Sequence, residues 1–71
     1  MNMATKVRML LAAKGMTLTE LASKMEPPTV QQNIGAKLKR NNLSEKDLNS
    51  IAKACGVVFE GNFVFEDGTK I

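Results

Sequence analysis

The chain has 71 residues, 44% of them hydrophobic, and a formal net charge of +3. This length holds one domain with a small core, and the apolar fraction excludes a disordered chain. One cysteine and no histidine exclude an internal disulfide and a His-activated nucleophile.

The charge is unevenly placed. Residues 1–40 hold seven Lys/Arg against two acids, whereas residues 41–71 hold three Lys against five acids. A polyanion is therefore expected to meet the first half. Lys6 and Arg8 interrupt the N-terminus, which has no clean apolar run. No stretch approaches the roughly 18 apolar residues of a membrane span. A cytoplasmic setting without a membrane partner is expected.

The first helix is predicted from about Met3 to Lys14, with Val7, Leu10 and Leu11 at helical spacing and Gly15 as its left-handed stop. The second opens at Thr17. Thr17-Leu18-Thr19-Glu20 is a capping box, flanked by Met16 and Leu21 as a hydrophobic staple. Leu21, Ala22 and Met25 form its inner face, and Pro27-Pro28 ends it. The third helix is predicted to open at Thr29 with a second capping box closed by Gln32, and to run to about Arg40. Val30, Ile34 and Leu38 make its apolar stripe, and Asn41-Asn42 breaks it. A third box, Ser44 to Asp47, opens a fourth helix whose inner face is Leu48, Ile51, Ala52 and Cys55, with Gly56 as its stop.

From Val57 the period becomes that of a strand. Val57, Phe59, Gly61, Phe63 and Phe65 alternate with Val58, Glu60, Asn62, Val64 and Glu66. Glu66-Asp67-Gly68 reads as a turn that returns Thr69-Lys70-Ile71 as a second strand. The three Phe residues share one face. Two strands alone are marginal in water, so that face is expected to cover the core, meet a second chain, or both. The expected fold is mainly α, a four- to five-helix bundle in one domain with a C-terminal strand or hairpin.

Helices two and three, about residues 17–40, make the arrangement that carries function. They are short and joined by a Pro-marked connection, and the second begins with consecutive long amides. A helix-turn-helix lays its second helix in the major groove with its first residues at the base edges. The Gln amide offers one donor and one acceptor, which match adenine N7 and N6. Gln31 and Gln32 are therefore the candidate base readers, with Asn33 beside them. Lys37, Lys39 and Arg40 at the far end are candidates for phosphate, which positions a protein without reading sequence.

Met16 to Met25 (MTLTELASKM), followed by Gln31-Gln32-Asn33-Ile34, resembles the Cro/repressor helix-turn-helix family of phage and bacterial regulators. Lys37 to Ser44, then Leu48, Ile51-Ala52 and Gly56-Val57, resembles a branch of small regulators that often end in a strand with an Asp-Gly turn. The resemblance covers nearly the whole chain. It implies a repressor-like bundle that binds operator DNA, usually as a homodimer. By it, Gln31 and Gln32 match the base-contacting pair, Asn33 a neighbouring position, and Thr17 and Thr19 the phosphate-facing start of the second helix. Thr29 stands at the opening of the recognition helix, and Lys37, Lys39 and Arg40 follow by charge and direction. Two features depart from the family pattern: the turn from Glu26 to Val30 is longer than usual, and Gly35 lies inside the recognition helix.

The expectation is a DNA-binding transcriptional regulator, a repressor that dimerises through Phe59, Phe63 and Phe65, with double-stranded DNA and a second copy as partners. No cofactor, metal or small-molecule substrate is implied. An antitoxin-type regulator, or a protein-interaction module using the Phe-bearing tail, is the alternative. An RNA reader is disfavoured, since all three aromatics lie in the tail. No enzyme is expected, because the chain lacks His, Tyr and a Gly-rich phosphate loop.

Overall fold

The computed structural model describes residues 2–71. Four helices, α1 (Met3–Lys14), α2 (Leu18–Lys24), α3 (Gln31–Arg40) and α4 (Glu45–Ala54), precede two short antiparallel strands, β1 (Val58–Phe59) and β2 (Phe63–Val64). The architecture is mainly α with a C-terminal hairpin.

The predicted helix ends form as the chemistry requires. The Thr17 hydroxyl accepts from the Glu20 N–H at 3.1 Å, and the Glu20 carboxylate accepts from the Thr17 N–H at 3.2 Å. Ser44 and Asp47 repeat this at α4, at 3.1 and 3.0 Å. Gly15 takes the left-handed conformation (φ 61°), and the Met16 N–H returns to the Leu11 carbonyl at 2.9 Å. Asn2, which the sequence reading passed over, caps α1 by accepting from the Thr5 N–H at 2.8 Å.

The opening of α3 differs from expectation. Thr29 is not its cap and the Thr29–Gln32 capping box does not form. The Thr29 N–H is drawn back onto the Ala22 carbonyl at 3.0 Å, so this residue closes the turn after α2. Its hydroxyl instead accepts from Asn33 Nδ2 at 2.9 Å. The N-cap position falls to Val30, which has no side-chain cap bond. Val30 is 56% exposed and so does not belong to the apolar stripe, which reduces to Ile34 and Leu38.

The tail also departs from one strand over residues 57–65. The chain reverses at Glu60-Gly61-Asn62, with Gly61 at φ 76° and the Glu60 N–H bonded to the Asn62 carbonyl at 2.8 Å. Val58 then pairs with Val64 and Phe59 with Phe63. The predicted return of Thr69–Ile71 is present along the other edge of β2. Phe63 and Ile71 exchange both backbone bonds at 2.9 and 3.0 Å, and Phe65 N–H meets Thr69 O at 2.8 Å.

The core is built from one face of every element. Val7, Leu10, Leu21, Ile51 and Phe63 are its largest fully enclosed side chains. Phe59 and Phe65 pack against it from the tail, and Phe59 meets the Phe63 ring at 5.3 Å between centroids. Cys55 is buried beside Met16, and desolvation pushes its thiol above the ordinary range. Among the described residues no side-chain polar atom is buried without a partner. No helix among them is long and apolar enough to cross a membrane.

Candidate nucleic-acid interface

The first turn of α3 presents three exposed amides in sequence, Gln31, Gln32 and Asn33, behind an exposed Val30. α2 packs against α3 and brings its own first turn alongside. Thr19 Oγ1 donates to Gln31 Oε1 at 3.2 Å, a bond that joins the two helices at their N-terminal ends. Asn33 is held differently, by the Thr29 hydroxyl on the opposite side. Successive helical residues turn by about 100°, so Gln31 and Asn33 flank Gln32. Gln32 makes no side-chain hydrogen bond among the described residues.

Two expected phosphate contacts are engaged elsewhere. The Thr17 hydroxyl accepts from Glu20 N–H and donates to Glu20 Oε1 at 3.3 Å, while its own N–H is bound by the same carboxylate. Thr17 therefore has no free donor, and its role is to start α2. Lys37 Nζ lies 2.8 Å from Asp47 Oδ1, which fastens α3 to α4. Burial raises the Asp47 carboxyl, but the Lys37 and Ser44 hydrogen bonds outweigh it and hold the group below the usual carboxylate range. Lys39 and Arg40 are exposed and make no ion pair among the described residues. They sit in the last turn of α3, where cations also meet the negative helix end.

A groove of about 450 Å³ runs along the other flank of α3. Met25, Pro27 and Ile34 contribute its apolar part, and Arg40 and Lys46 are cations with no ion pair among the described residues. Its acids, Glu26 and Asp47, are already paired, with Lys53 at 3.2 Å and with Lys37. Lys37, Arg40 and Lys46 thus stand against Glu26 and Asp47 in the lining of this groove.

The three tail rings are not equivalent. Phe63 is fully enclosed in the core and offers no surface to a second chain, which corrects its expected role in dimerisation. Phe59 and Phe65 are half-buried, and Lys14 Nζ stands 5.2 Å from the Phe65 ring centroid. The exposed apolar residue of the hairpin is Val58, at 58%. Sequence reasoning missed the exposure of Val30, which falls in step with Ile34 and Leu38, whereas the alternation of the tail already sets Val58 on the face opposite the Phe residues.

Among the described residues no group of three His, Cys, Asp or Glu side chains could hold a metal ion. No family model, curated protein or solved structure matches this chain. The Cro/repressor resemblance therefore rests on the quoted residues alone.

Proposed function

We propose that this chain is a sequence-specific, double-stranded DNA-binding regulator that enters the major groove with the N-terminal turn of α3. The observation that carries this reading is the exposed Gln31-Gln32 pair at the tip of a short helix braced by α2. Gln32 makes no side-chain hydrogen bond among the described residues, and Gln31 makes only the one to Thr19. Lys39 and Arg40 supply free charge for phosphates further along the same helix. A repressor acting as a homodimer in the cytoplasm is the biological form that fits. Two copies would place their α3 helices roughly 34–36 Å apart on a pseudo-palindromic site.

The test is selection of bound duplexes from genomic fragments by the wild type and by a Gln31→Ala/Gln32→Ala variant. The reading requires a short palindrome for the wild type and loss of that preference in the variant. Equal, unselective recovery by both proteins at low salt rejects it.

A second reading, a protein-interaction module of antitoxin type, draws on the exposed Val58 beside half-buried Phe59 in the hairpin. It predicts that Val58→Lys abolishes partner capture and leaves α3 variants without effect.

A further inference from the structure

The groove on the flank of α3 is a feature that base reading by Gln31 and Gln32 leaves unused. It lies between α3, α4 and the turn after α2, and its volume of about 450 Å³ falls within the roughly 300–1,000 Å³ of clefts that hold small organic molecules. Met25 and Ile34 form its floor, 8% and 3% exposed, and exposed Pro27 extends the apolar part. Arg40 and Lys46 also line it, both exposed and with no ion pair among the described residues. The acids in the lining are already engaged: Lys37 holds Asp47 at 2.8 Å, and Lys53 holds Glu26 at 3.2 Å. A ligand therefore meets an apolar surface beside two cations that no carboxylate among the described residues neutralises.

Each half of this surface argues against a simpler ligand. A bare inorganic anion, or a DNA phosphate, makes no use of Met25, Pro27 and Ile34. A neutral hydrocarbon makes no use of Arg40 and Lys46. A carboxylate on an apolar body uses both. The Arg40 guanidinium presents its N–H donors as a planar fork that suits two carboxylate oxygens. Ile34 and Arg40 are six residues apart on α3, about 9 Å along its axis, which sets the separation of body and head. We propose that this groove binds a small amphipathic carboxylate, its head on Arg40 and Lys46 and its body over Met25, Pro27 and Ile34, as an effector that releases α3 from DNA. Release follows from a shared residue, because Arg40 cannot hold a phosphate while the carboxylate of the ligand occupies it. The release step rests on α3 being the recognition helix, and the binding step does not.

Sodium octanoate is the probe, titrated into isotope-labelled protein at constant ionic strength and followed through the backbone amide NMR signals. Acetate and octan-1-ol serve as its two halves. Octanoate is expected to give saturable shifts clustered at the residues that line the groove. Acetate and octan-1-ol are each expected to bind about tenfold more weakly, since one lacks the body and the other the charge. Ala36→Glu sets a carboxylate at an exposed groove position four residues before Arg40, an intrahelical pairing that keeps the fold and occupies the guanidinium. It is expected to weaken octanoate about tenfold and to leave octan-1-ol unchanged. Acetate or octan-1-ol binding as tightly as octanoate overturns the proposal, and so does undiminished octanoate binding by Ala36→Glu. Fluorescence anisotropy on the duplex the wild type selects then tests release. Octanoate that saturates the groove is expected to weaken DNA binding about fivefold, the loss of one phosphate contact, while acetate at the same ionic strength does not. Unchanged DNA affinity with the groove saturated overturns the release step. A protein that binds octanoate but selects no DNA overturns the recognition-helix reading and release with it, and leaves the binding site established.

Discussion

Lys37 Nζ and Asp47 Oδ1 meet at 2.8 Å, and the same carboxylate accepts from the Ser44 N–H at 3.0 Å. One acidic side chain thus caps α4 and ties it to the far end of α3. Asp47 is 20% exposed at its side chain and Lys37 43%, so the pair is partly screened by water. The consequence for α3 is a division of labour among its cations: Lys37 builds the fold, and Lys39 and Arg40 form no ion pair among the described residues.

That division predicts different salt behaviour. Arg40→Ala is expected to lower the slope of log affinity against log salt by about one for duplex DNA, the loss of a single phosphate contact. Lys37→Ala is expected to change the slope by less, because its charge is already matched by Asp47. Fluorescence anisotropy titrations across a range of KCl concentrations measure both. Equal slope changes in the two variants would show that Lys37 leaves Asp47 to reach phosphate.

The same carboxylate predicts a pH dependence. Its folded pKa lies below the ordinary value, so between the two the unfolded chain binds more protons than the folded one. Its stabilisation is complete above the ordinary carboxylate pKa and is lost as pH falls through the folded value. Asp47→Asn removes this contribution, about 0.5–1 kcal/mol at neutral pH for a partly exposed pair. Thermal melts at pH 7 and pH 3 should show the wild type losing more than Asp47→Asn over that interval.

Val30 occupies an N-cap position without a cap bond, and its apolar surface faces solvent. Val30→Asp supplies an acceptor for the free N–H groups of α3 and a charge suited to the positive helix end. It is expected to stabilise the domain by about 1 kcal/mol, which raises Tm by roughly 4–8 °C at this size. It should weaken DNA binding in the same sample, since the new carboxylate sits beside Gln31. A fall in Tm would mean that Val30 packs in a way its 56% exposure does not show.

The sequence reading and the structure agree where a local chemical device determines the outcome. The Thr17 and Ser44 boxes and the Gly15 stop act within four residues, so their effect is visible in the chain itself. The opening of α3 was misread because a tertiary bond, Thr29 N–H to Ala22 O, competes with the local box. The tail was misread for a different reason. Phe59 and Phe63 are four apart, and they share a face both along a continuous strand and across the observed register. Alternation therefore cannot reveal a reversal at Gly61. The exposed amides of α3 were legible as residue types, but the Thr19 tether was not, because it depends on how α2 crosses α3.

Gly35 lies inside α3, where glycine lowers helix stability through its excess backbone freedom. A Cβ built there meets nothing within 4 Å, and its backbone is not in the left-handed region. Gly35→Ala therefore gains helix propensity without a clash and should add up to about 1 kcal/mol.

The sharpest stability prediction concerns Phe63. Its ring is fully enclosed, and Phe59 and Phe65 cover the core only in part. Phe63→Ala removes a large buried side chain and leaves a cavity, at a cost of about 3–5 kcal/mol. In a domain of this size that is a large share of the total stability. Urea unfolding followed by circular dichroism should show a near-complete loss of the folded baseline for Phe63→Ala and smaller shifts for Phe59→Ala and Phe65→Ala. Had Phe63 served a dimer interface instead, its alanine variant would sediment as a folded monomer. Sedimentation velocity alongside the unfolding curve separates the two roles, because a core residue lowers stability at every protein concentration whereas an interface residue does so mainly where the dimer would have formed.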